Sequence, residues 1–353
     1  MSDDELEALL APDTGSKSEN QDLVAIISKS MSPRQLGSVM MLVAVLCGAF
    51  NGTLLRVSEI AGMGSPAILA TRWLLFGTFM VANECLLFND RWALIQLVSS
   101  NRDLLLYGVL CGVVFACGTI SMLQTQCLNA VVLSNTFPLY SVLFSALLLQ
   151  DPIEKRTLVA LAAAMPFVFM LILPAALDDE PDESKSHQTG AHKDSAVGDI
   201  IMFVSALGFA AYITATRYAN TVRPGTVPCV IIGYGMGVIV MGIGAAVYTT
   251  IVSSFNGSYI GYCAILVDIT LLVGWARLAA AASSYLTVPE VSLLSLLDIL
   301  FGPAIVMLIY HEYANWLQLV AGICIFFIMV VHEATAEFED EFESQLAASC
   351  REV

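Results

Sequence analysis

Arg72, Asp268, Arg277 and Asp298 stand well inside long apolar runs. Placing an ionised side chain in hydrocarbon costs at least about 2.5–3.5 kcal/mol, so each needs a partner, water or a ligand. Arg72 lies about seven residues from one end of its run and Asp268 about eight from the corresponding end of its own. That common depth suits an ion pair, with two readings: a substrate-carboxylate or proton-linked site, or a fixed pair that locks a helix bundle. Arg277 and Asp298 lie nearer the opposite ends of adjacent runs, and the same two readings apply. Asp268 and Arg277 are nine residues apart, half a turn out of phase on a helix, so they do not face one way. As a site, Arg72 and Arg277 would anchor a negative group, and Asp298 would supply a counter-charge or a proton-linked acid.

The elements that must position these residues are continuous apolar runs of about 20 residues, long enough to cross a hydrocarbon core of about 30 Å. Ten occur, at about 36–56, 66–88, 104–125, 130–149, 157–177, 198–217, 227–252, 260–282, 290–311 and 314–332. Membrane strands alternate in character over about ten residues, so unbroken runs predict helices. Hydrophobic residues make up 57% of the chain and charged ones 13%, which fits no soluble globule. The expected fold is an all-α membrane protein.

The chain repeats at an offset of 161 residues. Gly37/Gly198, Met41/Met202, Val43/Val204, Leu46/Leu207, Ala49/Ala210, Thr53/Thr214 and Arg56/Arg217 coincide, and Leu158-Val159-Ala160 pairs with Leu319-Val320-Ala321. Asp151 pairs with Glu312 just before the later trio. Five helices per copy is an odd number, which inserts the second copy upside down and gives ten helices as two inverted five-helix repeats. The expected boundaries are an acidic tail over 1–34, a first repeat over 35–177, a flexible acidic linker over 178–197, a second repeat over 198–332, and an acidic tail over 333–353.

The net charge of −16 belongs almost wholly to the tails and linker, so it says nothing about a substrate. No basic patch exists to hold nucleic acid. With the N-terminus in the cytoplasm, Arg91, Arg102, Lys155, Arg156, Arg217 and Arg223 fall in inner loops, as the positive-inside rule requires. Asn256-Gly257-Ser258 is then an outer acceptor sequence for N-glycosylation, although it lies close to the membrane. The acidic opening lacks the basic region and apolar core of a signal peptide. Within it, Glu5-Leu6-Glu7-Ala8-Leu9-Leu10 reads first as a short amphipathic or disordered stretch. The second reading is an acidic dileucine sorting signal for a sorting adaptor. The nine cysteines lie mostly in apolar runs without C-x-x-C spacing and read as core residues, not as disulfides or a metal site. No cofactor is expected.

Gly198-Asp199, Ala210-Ala211-Tyr212 and Arg217 open the second copy, and Val291 to Asp298, Gly302-Pro303, Glu312 and Gly322 follow. With Arg72 and Pro138 in the first copy, this ordered set resembles EamA-type members of the drug/metabolite transporter superfamily over about 36–332. There are departures: Ile299 stands where the usual proline follows the acid, and Asp151-Pro152 replaces a glutamate. The resemblance implies a central cavity, and Asn51, Asn135, Tyr140, Tyr212 and Trp275 fall in the helices that line it in that family. Glu84, Gln124, Gln126, His311 and Glu312 lie near helix ends and read as interfacial. Gly108/Gly112 and Gly233/Gly237 have the small-xxx-small spacing of closely packed helices.

The leading function is a secondary transporter that moves a small organic solute (metabolite, amino acid or drug-like) by rocking one repeat against the other. The runner-up is an organic-phosphate or nucleotide-sugar exchanger, which would want several cavity Lys or Arg. A non-transporting membrane scaffold acting through its acidic tails is the alternative of another class. No Walker motif and no H-E-x-x-H, G-x-S-x-G or intramembrane aspartate pair occurs, so neither ATP-driven transport nor an enzyme is expected. Plasma membrane and endomembranes fit equally, and oligomeric state is open.

Overall fold

The computed structural model describes residues 32–88, 90–124, 134, 136–149, 155–177, 196–252, 257–310, 316, 320–328, 330–332 and 334–335. The dileucine-like stretch, almost all of both tails, most of the linker, Gln126, Asn135, Asp151, Asn256, His311 and Glu312 lie outside the described residues.

Among those residues the chain is helical and contains no strand. The helices are α1 (Pro33–Gly48), α2 (Asn51–Ile60), α3 (Ser65–Leu87), α4 (Arg91–Ser100), α5 (Arg102–Gln124) and α6 (Phe137–Phe144) with a π-helical turn at Ser145–Leu149. They continue as α7 (Lys155–Leu177), α8 (Ala196–Thr221), α9 (Val227–Val252), α10 (Tyr259–Ala282), α11 (Val288–Ser295) and α12 (Asp298–Tyr310). Among the described residues, six helical stretches are long and apolar enough to cross a membrane: Pro33–Ile60, Ser65–Leu87, Arg102–Met122, Ile200–Thr221, Val227–Ile251 and Tyr259–Ala282. Tyr140–Leu149 and Val320–His332 are shorter apolar helices. Helix therefore occurs in every one of the ten apolar runs, and among the described residues six have the length and apolarity of a full span.

Local chemistry sets where these helices start. Ser32 accepts from the Gln35 amide, the Gln35 side chain accepts from the Ser32 amide, and Pro33 follows, a complete capping box for α1. Thr287 and Glu290 do the same for α11, and the Ser258 hydroxyl caps α10. Large apolar side chains remain exposed along the outside, among them Leu106 and Leu110 of α5 and Val240, Ile243, Val247 and Ile251 of α9. A surface of that kind belongs against lipid, where helices satisfy their own backbone.

The helices pack mainly across the two halves of the chain, and the pairings come in matching sets. α1 packs on α10 and α8 on α5; α3 packs on α10 and α9 on α5; α6 packs on α8 and α12 on α1. Each second pair is the first displaced by the sequence offset. α5 and α9 touch backbone to backbone through the glycines singled out by their spacing. A β-carbon on Gly108 would stand 2.5 Å from the Val230 carbonyl oxygen, and one on Gly112, Gly233 or Gly237 would collide with the Tyr234, Leu105 or Val109 carbonyl oxygen. α3 joins the same seam at Gly77, whose β-carbon would lie 2.5 Å from the Gly235 carbonyl oxygen. Small residues are the means by which helices approach closely when lipid gives no hydrophobic drive.

The structure corrects the sequence reading in several places. The first run is two helices, interrupted at Ala49–Phe50. The run at 290–311 is divided by Leu296–Leu297, where the amides bond three residues back, to Leu293 and Leu294. The loop from Arg91 to Arg102 is instead a helix, α4, capped by Asp90 and exposing Trp92. Such a side chain suits the membrane interface. Arg217 lies within α8 rather than in a loop. Its guanidinium donates to the Ser283 and Ser284 carbonyls, satisfying the C-terminal end of α10.

Candidate functional site

Two ion pairs join α3 to α10 at different depths. Arg72 Nε donates to Asp268 Oδ2 at 2.8 Å, with both side chains 2% exposed. The guanidinium also donates to Thr119 Oγ1 at 2.8 Å and Asn51 Oδ1 at 2.5 Å, so α2, α3, α5 and α10 converge on one cation. Thr119 Oγ1 accepts from Trp73 Nε1 as well, at 3.3 Å. Twelve residues further along α3, Glu84 pairs with Arg277. Glu84 is buried, which corrects its reading as an interfacial residue: the charge at the end of α3 turns inward because α10 presents a cation there. Arg277 therefore pairs with Glu84, while Asp298 stands apart from it.

A cavity of about 110 Å³ opens between the halves. From the first half it is lined by residues that include Asn51, Arg72, Phe115, Thr119 and Phe137; from the second, Met202, Ser205, Phe209, Trp275, Ser295 and Asp298 contribute. Four pairs of lining residues stand 161 positions apart: Val45 with Ala206, Gly48 with Phe209, Ser134 with Ser295, and Phe137 with Asp298. The two copies thus present equivalent stations to one space. The last pair is chemically unlike, since an aromatic ring in one copy answers a carboxylate in the other.

An aromatic stack forms part of this wall. Trp275 stacks on Phe209 at 4.8 Å between ring centres, with the planes inclined by 29°, and on Phe115 at 6.0 Å, and Phe137 meets Phe209 edge-on at 4.5 Å. Gly48 makes room for the indole, because a β-carbon there would stand 3.0 Å from Trp275 Cδ1. Asp298 begins α12 beyond the tightened turn, and its Oδ1 is buried with no hydrogen-bond partner among the described residues.

Of the residues named from sequence, the structure gathers Asn51, Arg72, Trp275 and Asp298 at the cavity, with Asp268 behind Arg72. Tyr212 is buried in the packed core, where its hydroxyl donates to the Ala276 carbonyl at 3.3 Å and its ring lies 4.4 Å from Tyr234. Tyr140 meets Phe203 edge-on, and Arg277 is held by Glu84; neither lines the cavity. Sequence reasoning missed Thr119, Ser205, Phe115, Phe137 and Phe209. The signal was available in one place: Gly48 and Phe209 occupy the same repeat position, a small residue in one copy and a large one in the other.

Residues 35–173 match the EamA-like transporter family. No curated protein matches the chain. A solved crystal structure, described only as that of a protein, is similar with a TM-score of 0.60 at 12% identity, over 85% of this chain and 97% of that one. The family match bears out the resemblance over residues 35–173, and the structural likeness, at 12% identity, supports the fold alone over 85% of the chain. The chain is an integral, multi-pass membrane protein.

Proposed function

From the EamA-like match as premise, we propose that this protein is a secondary transporter of a small organic solute that works by alternating access between two inverted repeats. The observation that carries the reading is the cavity between the halves, lined from both at positions 161 residues apart. The matched packing pairs support ten crossing segments as two five-helix repeats, over 35–177 and 198–332, joined by an acidic linker at 178–197 and flanked by tails. Both termini are then cytoplasmic.

The solute binds in the cavity against Asn51, Arg72, Trp275 and Asp298, with Phe209 and Phe115 completing the apolar wall. Rocking transfers exposure from one face of the membrane to the other while the site stays between the repeats. Asn135, expected at the same wall from the sequence, lies outside the described residues. Organic-phosphate exchange has weak support: Arg72 is the one cation among the described lining residues, and Asp268 already neutralises it. A scaffold role leaves the cavity without a purpose.

The test is uptake by the purified full-length chain in proteoliposomes, with solutes chosen by a thermal-shift screen of a metabolite panel. Saturable uptake that Trp275→Ala or Asn51→Ala abolishes supports transport. Folded protein that shifts with no metabolite and moves none removes it and leaves the scaffold reading.

A further inference from the structure

Resting on that transport reading, we infer that the cavity selects a small organic cation, an ammonium group with an apolar body, and that Asp298 is its counter-charge. Asp298 and Arg72 are the charged residues among the described lining, and they are not equivalent. The Arg72 charge is balanced by Asp268 at 2.8 Å, and Asn51 and Thr119 take further donors, so little of it is left for an anion. Asp298 Oδ1 has no hydrogen-bond donor or cation among the described residues. Counting Asp268, the site holds one positive and two negative side chains.

A buried carboxylate oxygen without a partner is costly, and a bound cation removes that cost. The rest of the wall suits the same ligand. Phe209, Trp275 and Phe115 line the cavity, and the negative side of an aromatic quadrupole attracts an alkylammonium and repels a carboxylate. Across the pseudo-two-fold, Phe137 stands where Asp298 stands in the other copy, so the cavity has one acidic station and one apolar one. An amphipathic cation matches that polarity. A cavity of about 110 Å³ suits a compact ligand.

The experiment is equilibrium dialysis of the full-length chain with radiolabelled tetramethylammonium, competed by neutral tert-butanol and anionic pivalate, alongside proteoliposome uptake of the same three probes. Tetramethylammonium should bind saturably and resist competition by pivalate. Asp298→Asn, close in shape, should weaken binding by about tenfold or more, and Trp275→Leu should also weaken it. Unchanged binding in monodisperse Asp298→Asn overturns the inference. The wild-type ranking of the three probes decides the matter should that variant not fold, and pivalate or tert-butanol bound in preference to tetramethylammonium overturns it. Saturable uptake of an uncharged or anionic solute without tetramethylammonium binding sinks the cation site and leaves transport standing. Tetramethylammonium binding without uptake does the reverse.

Discussion

The guanidinium of Arg72 makes hydrogen bonds to side chains from three other helices, and its charge is balanced once, by Asp268. Removing one partner of a buried pair strands the other, at about 3–5 kcal/mol. Arg72→Ala should therefore lower the melting temperature and the monodisperse yield, and adding Asp268→Ala should recover part of the loss. Intact yield in Arg72→Ala, with no effect of the second change, would show that the arginine serves substrate alone. The pair of Glu84 with Arg277 should matter less to stability, because Arg277 is 22% exposed and water shares its charge. A double-mutant cycle on each pair measures the order, with the larger coupling expected at Arg72–Asp268.

Among the described elements, α9 is pressed from two sides, by α3 and α5, and glycines mark close approaches on both. Gly112→Ala should destabilise by about 1–3 kcal/mol, since its β-carbon meets the Tyr234 backbone and both helices would have to move apart. Gly244→Ala, on α9 where a β-carbon meets nothing within 4 Å, should be neutral or mildly stabilising, because the helix loses a flexible residue. Thermal unfolding in detergent compares the two. At the far end of the same bundle, Arg34 at the start of α1 pairs with Glu290 of α11 at 2.5 Å, and Arg156 of α7 stands 3.9 Å from the same carboxylate oxygen. Glu290 also caps its own helix, so Glu290→Ala should loosen α11 and its grip on α1 together. The readout is faster cleavage by a protease supplied on that face.

For the whole molecule, the tails carry most of the charge and no core-forming pattern. A protein trimmed of residues 1–31 and 336–353 should insert and transport as the full chain does. Loss of uptake with normal insertion would give the tails a part in transport, whereas mislocalisation with uptake retained would promote the sorting signal at Glu5-Leu10. Tags at the two ends should both be reached from the cytoplasmic face. A tag pair reporting opposite faces would end the inverted-repeat proposal, since an even number of crossings is what five plus five requires.

Helix positions were legible because hydrocarbon leaves the backbone no other choice, so a run of apolar residues is already a statement about structure. The glycine seam was legible for a similar reason: spacing of four on a helix puts small residues on one face, and lipid packing needs them there. The Arg72–Asp268 pair followed from matched depth, since a single depth coordinate is what a sequence of spans supplies. Depth does not say which helices are neighbours, and that decided the rest. Arg277 and Asp298 looked like partners on adjacent runs, yet α10 faces α3, so Arg277 meets Glu84 and Asp298 is left facing the cavity. Tyr212 and Trp275 were alike in sequence as aromatic residues of presumed lining helices. Rotation about the helix axis sent one into the core and the other to the wall. Which charges are balanced, and therefore the sign of the site, is a property of neighbours in space, and tertiary packing alone determines it.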